Sequence, residues 1–143
     1  MAWWKFWAQP KQGSSPDYYE EGVELMRREL PHEALNAFRL AQRERPDDAA
    51  THEQMAVAYT RIGLPHEAIR AYRKALAVRP NSPSAHYGLA FLLLKNGQRE
   101  AAAGHLKAFL SHATPDREEA RHLEHARRTL ARLSGESSPP GPS

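Results

Sequence analysis

The sequence predicts an all-α fold, a solenoid of three helix–turn–helix units closed by a C-terminal capping helix. Three observations predict it. The pentapeptide LPHEA occurs twice, at residues 30–34 and 64–68, a step of 34 residues. Ser14, Asp48, Ser82 and Asp116 fall at the same step. Each has a side-chain oxygen suited to accept from the free N–H groups that open a helix. Gly63 and Gly97 repeat the step where a helical pattern ends, and Pro46 and Pro80 repeat it where a second one ends.

The chain divides accordingly. Residues 1–13 form an aromatic-rich lead, 14–133 a repeat domain, and 134–143 a Pro/Gly/Ser tail predicted to be disordered. The units span about 15–48, 49–82 and 83–116, with the capping helix at 116–133. LPHEA opens the second helix of units one and two. Pro31 and Pro65 take the first helical position, where a missing N–H costs nothing. Glu33 and Glu67 favour the positive end of the helix dipole. Unit three has QREAA at that step. Small residues recur at Gly22, Ala56 and Ala90, and at Ala34, Ala68 and Ala102, and would let paired helices approach closely. Tyr59, Tyr72, Leu76, Leu89, Leu93 and Leu106 then fill the space between layers. Asp116-Arg117-Glu118-Glu119 reads as a capping-box analogue. It leads into a stripe of Leu123, Ala126, Leu130 and Leu133 that would close the stack.

Composition narrows the function. The chain has 143 residues, room for one domain. It has no cysteine, which excludes disulfides, thiolate metal sites and a cysteine nucleophile, and suits a reducing compartment. No apolar run approaches the roughly 20 residues that cross a bilayer. The net charge of +3 is spread among acidic residues, unlike the concentrated basic stripe of a nucleic-acid binder.

The period and its residues resemble the tetratricopeptide repeat. Unit two carries His52, Met55, Ala56 and Tyr59, then Ala68, Tyr72, Ala75 and Pro80. Unit one carries Tyr18, Gly22 and Leu25, then Ala34, Phe38, Ala41 and Pro46. Unit three carries His86, Leu89, Ala90 and Leu93, then Ala102, Leu106 and Phe109, with its proline one residue late at Pro115. No repeat has the family's tryptophan, Glu21 stands where leucine is usual, and Glu29 replaces a turn glycine. The resemblance implies a right-handed solenoid whose first helices line a concave groove for peptides or partner helices. By register that groove would hold Tyr19, Val23, Met26 and Arg27 from unit one. It would hold Glu53, Gln54, Val57, Thr60 and Arg61 from unit two, and Tyr87, Phe91, Leu94 and Lys95 from unit three. Arg27, Arg61 and Lys95 make a basic ladder along one edge, either cations at helix C-termini or a clamp for acidic groups. Family members that hold chaperone tails use a Lys/Asn/Asn/Lys/Arg clamp. The equivalent positions here are Tyr19, Val23, Gln54, Ser84 and Gly88, none of which matches.

Catalytic chemistry is not legible. No Gly-rich phosphate loop, GxSxG or HExxH string occurs, and no cofactor or metal is expected. Glu118 and Glu119 read as first-turn carboxylates at the positive end of a helix. Of the eight histidines, His32 pairs with His66 and His52 with His86 at the repeat step, the latter two as partly buried rings at the family's tryptophan position. His122 and His125 stand one turn apart, read as surface residues because two ligands fall short of a zinc site's four.

Trp3, Trp4, Phe6 and Trp7 crowd the lead, which is too short for a secretory signal. Leaving each large ring in water forgoes about 1.5–3 kcal/mol of burial. The segment is expected to fold back on the repeats, with a membrane interface or a partner protein as alternatives. The function expected is a non-catalytic, cytoplasmic protein-interaction adaptor that holds a peptide or helix, with no nucleic acid as partner. The alternatives are a membrane-peripheral assembly factor anchored by its tryptophans and a self-associating stack.

Overall fold

The computed structural model describes residues 17–137, apart from the side chains of 118, 136 and 137. Seven helices follow one another among the described residues: α1 (Tyr18–Arg27), α2 (Pro31–Glu44), α3 (Ala49–Ile62), α4 (Pro65–Val78), α5 (Pro83–Lys95), α6 (Arg99–His112) and α7 (Arg117–Ser137). Each unit is a packed pair, α1 on α2, α3 on α4 and α5 on α6. Successive units stack through α2 on α3 and α4 on α5, and α7 closes the array against α6. The first helices also touch one another, α1 with α3 and α3 with α5, forming a continuous first-helix layer. The result is the all-α solenoid expected.

The turn inside each unit is one motif built three times. Leu30 N–H donates to Leu25 O, Leu64 N–H to Tyr59 O and Gln98 N–H to Leu93 O, each at 2.9 Å. Inside these, Glu29, Gly63 and Gly97 donate to Met26 O, Thr60 O and Leu94 O at 3.0, 3.2 and 3.1 Å. Such a closure needs a left-handed residue at its centre. Gly63 and Gly97 adopt φ of 93° and 80°, and Glu29 is held at 61° without a glycine's freedom. The leucine of each LPHEA therefore completes this closure, and the proline after it starts α2 or α4.

The core follows the small-residue ladders. Ala34, Ala68, Ala102 and Ala56 are fully buried, and Phe38, Leu89, Leu93, Leu106 and Phe109 fill the space between layers. At Gly22 any side chain would run into the Phe38 ring, so only glycine fits that approach. On α7, Leu123, Ala126 and Leu133 are buried and Leu130 packs beside them.

Four expectations are corrected. The predicted cap Ser14 lies outside the described residues; α1 instead starts at Tyr18, with Asp17 accepting from Glu20 N–H at 3.1 Å. Asp48 makes no backbone cap, because its carboxylate accepts from the Thr51 hydroxyl at 2.8 Å. Asp116 does cap, accepting from Glu119 N–H at 2.8 Å, but the Glu119 carboxylate returns to Thr114 N–H at 2.7 Å and not to Asp116. Finally, residues 134–137 continue α7, although the tail was expected to begin there. Extending an established helix adds one hydrogen bond per residue fixed, without a new nucleation cost. The remaining tail, 138–143, and the lead with Trp3, Trp4, Phe6 and Trp7 lie outside the described residues. No described helix is long and apolar enough to cross a membrane.

Candidate functional site

The first-helix layer carries an apolar cup of about 310 Å³ between α3 and α5. Val57, Thr60 and Arg61 come from α3, and Tyr87, Gly88, Phe91, Leu92 and Lys95 from α5. Tyr72 enters from α4 behind them. Gly88 is what admits it, since a Cβ there would collide with the Tyr72 ring. Burial, reinforced by the Glu53 carboxylate, pushes the Tyr72 hydroxyl up to about 12, so it stays a neutral donor at physiological pH.

The far wall of the cup is an aromatic stack. Tyr87 lies 4.8 Å from Phe91, 5.0 Å from Phe109 and 4.6 Å from His122, between ring centroids. Phe91 stacks on His125 at 4.7 Å and 23°. His122 and His125 are exposed as expected, but they also brace the two rings from α7. This is a packing role that spacing along one helix cannot reveal.

Of the predicted groove residues, Val57, Thr60, Arg61, Tyr87, Phe91 and Lys95 are brought together in the cup. Tyr19, Val23 and Leu94 pack half-buried against the core beside it. Burial, then the charges of Asp48, Glu20 and Glu53, raises the Tyr19 hydroxyl pKa, which marks this end of the layer as acidic. Gln54 is half-buried near Tyr19. Glu53 is occupied, accepting from the hydroxyls of Ser82 and Ser84 and so tying α3 to the start of α5. Met26 is a correction, because it is 6% exposed and belongs to the core. The basic ladder is partly spoken for as well. Arg27 is paired with Glu24 on its own helix, at 2.6 Å. Arg61 reaches across units to donate to the Met26 carbonyl at 3.1 Å, a cation on the C-terminal end of α1. Lys95 is exposed at the cup's rim.

Register alone missed Tyr72, Gly88 and Leu92. Tyr72 belongs to the interlayer core by spacing and is 7% exposed, yet its ring also forms the cup's floor. The available signal was the glycine in mid-helix at 88, a residue that weakens a helix unless a close approach requires it.

Residues 66–97, spanning most of α4 and all of α5, match a family model described as TPR repeat. The chain folds as a tetratricopeptide-repeat protein. Solved structures of this fold agree with it along most of its length. The type III secretion chaperone SycD of Yersinia enterocolitica, in complex with a peptide of the translocator YopD, superposes with a TM-score of 0.80 at 14% identity, over 90% of this chain and 100% of that one. The Sgt2 tetratricopeptide domain from Aspergillus fumigatus gives 0.70 at 18% identity, over 94% and 93%. The TPR2B domain of yeast Sti1, in complex with an Hsp70 peptide, gives 0.72 at 19% identity, over 83% and 94%. At these identities the likeness is one of fold. A comparison with curated proteins returns no match.

The histidines at the family's tryptophan position are buried outright, not partly, with His52 4% and His86 9% exposed. Each ties its helix to the preceding loop. The Nε2 atom lies 2.8 Å from Pro46 O in one case and 2.7 Å from Pro80 O in the other. Among the described residues no group of three or more His, Asp or Glu is placed to hold a metal ion.

Proposed function

We propose that the chain is a non-catalytic adaptor that captures a segment of a partner protein across its first-helix layer. An apolar side chain of that segment seats in the cup between α3 and α5. The observation that carries this reading is the cup itself, a preformed apolar hollow walled by Tyr72, Tyr87 and Phe91 with Lys95 and Arg61 at its rim. Aromatic walls in a fixed scaffold are the usual anchors of binding energy, because their rings desolvate large area at small entropic cost. SycD and Sti1 of the same fold are seen with peptides of their partners, which supports assigning the same class of ligand here. The chaperone-tail clamp is not part of the reading. Its positions hold Ser84, already engaged with Glu53, and Gly88, which carries no side chain. Lys95 favours an acidic residue beside the apolar anchor.

A random peptide display library panned against the full chain tests this. Selected sequences should converge on one aromatic or aliphatic anchor flanked by Asp or Glu. Phe91→Ala should weaken the selected peptides roughly tenfold, and Lys95→Glu should reverse the preference for acidic flanks. Selected peptides that bind wild type and Phe91→Ala equally would place the site elsewhere.

A further inference from the structure

A second cleft, of about 480 Å³, opens between α2 and α4 and shares no lining residue with the cup among the described residues. Its walls carry Arg39 and Arg43 from α2 and Arg70 and Lys74 from α4, each pair one helical turn apart. Glu67, the only carboxylate among the described residues that line it, is paired with Arg70 at 3.1 Å. Among the described lining residues, four cations against one carboxylate leave a net charge of +3, which concentrates anions in a concave surface.

The lining also contains an unmet hydrogen bond. A carbonyl only accepts, so His52 Nε2 carries the proton it donates to Pro46 O. In the neutral ring Nδ1 is then a lone pair, and that buried atom has no partner among the described residues. One repeat later the same arrangement is complete. His86 Nε2 donates to Pro80 O, and its Nδ1 meets Nδ1 of His105 at 3.0 Å. The position equivalent to His105 in unit two is Ala71, which lines the cleft. Unit two thus keeps the histidine and its backbone anchor, lacks the partner, and has a cationic cleft where that partner would stand.

We propose that this cleft binds hydrogen phosphate, an oxyanion that retains a proton. Its P–O–H donates to His52 Nδ1, and its charged oxygens accept from the guanidinium groups of Arg39 and Arg43 and from the Lys74 ammonium. Guanidinium forks match such oxygens in geometry as well as charge. The two requirements together discriminate among anions. Sulfate satisfies the cations but has no proton to give at neutral pH, so it leaves Nδ1 unpaired in a buried site, and an unpaired buried acceptor lowers affinity. A fully ionised phosphomonoester has the same defect.

Calorimetric titration of the full chain at pH 8 and matched ionic strength tests this with inorganic phosphate, sulfate and phosphoserine. Phosphate should saturate one site per chain, with sulfate and phosphoserine each at least tenfold weaker; the phosphoserine arm separates a free anion from the head of a monoester. Ala71→His, which restores the unit-three pairing, should abolish phosphate uptake. Arg43→Gln, a change at an exposed position, should weaken it at least fivefold, and Phe91→Ala should leave it unchanged. The proposal is overturned by phosphate that fails to saturate, by sulfate or phosphoserine binding as tightly, or by a folded Ala71→His variant of wild-type affinity. Should circular dichroism show Ala71→His unfolded, Arg43→Gln decides: unchanged affinity there overturns the proposal too.

Discussion

Glu29 occupies the turn position that Gly63 and Gly97 occupy in the other two units, with the same pair of backbone hydrogen bonds around it. Its φ of 61° places a non-glycine residue in the left-handed region. A Cβ crowding the following carbonyl costs about 1–2 kcal/mol there. Glycine removes that strain but loses about 0.5–1 kcal/mol through its greater freedom in the unfolded chain. Glu29→Gly should therefore stabilise the protein by about 0.5–1 kcal/mol. The Glu29 side chain is exposed, so little packing is forfeited. In a domain of this size that corresponds to a rise in Tm of about 2–5 °C. Differential scanning calorimetry measures it directly, and urea denaturation with an unchanged m value confirms that the gain is in the folded turn. The complementary change, Gly63→Ala, forces the same strain onto unit two at φ of 93° and should lower Tm by a similar amount. If Glu29→Gly left Tm unchanged or lowered it while Gly63→Ala was harmless, the turn geometry would not be storing strain and the argument would fail.

Two further outcomes follow from the packing. Gly22→Ala drives a methyl group into the Phe38 ring and should cost about 1–3 kcal/mol in urea denaturation, with Phe38→Leu recovering part of it; an unchanged midpoint would mean the helices can separate freely. His105 has its pKa lowered by burial, by the adjacent His86 ring and by Arg73, so the native state favours its neutral form. The unfolded chain then binds more protons, and stability should decline as pH falls below the ordinary histidine value of about 6.5. The urea midpoint measured from pH 7.5 to 5.5 should fall less steeply in His105→Asn than in wild type, and parallel slopes would refute the assignment.

How much was legible beforehand varied with the range of the interaction. The turns, the proline starts of α2 and α4 and the buried alanine ladders were readable, because each depends on residues within one helix turn and recurs at a fixed step. Register also places Val57, Tyr87 and Phe91 on one side of the first-helix layer, where they line one cup, because successive first helices lie side by side. Register failed at Met26, whose side chain packs into the core while its carbonyl serves Arg61. The cap of α1 is Asp17, three residues after the position that the 34-residue step gives.

The sequence by itself determined the periodic part of this protein: helix pairs, their joints, the small residues between them and the capping stripe on α7. Repetition writes those features several times over, and each is enforced by local backbone chemistry. Only the tertiary structure decided where side chains from different units meet. Tyr72 reaches the cup through the space at Gly88, and His122 and His125 brace its aromatic wall. His86 finds a partner in His105, while the residue 34 positions before His105 is Ala71 and His52 Nδ1 has no partner among the described residues. Those meetings depend on distances across helices, which linear spacing does not encode, so two units with one pattern can present different chemistry.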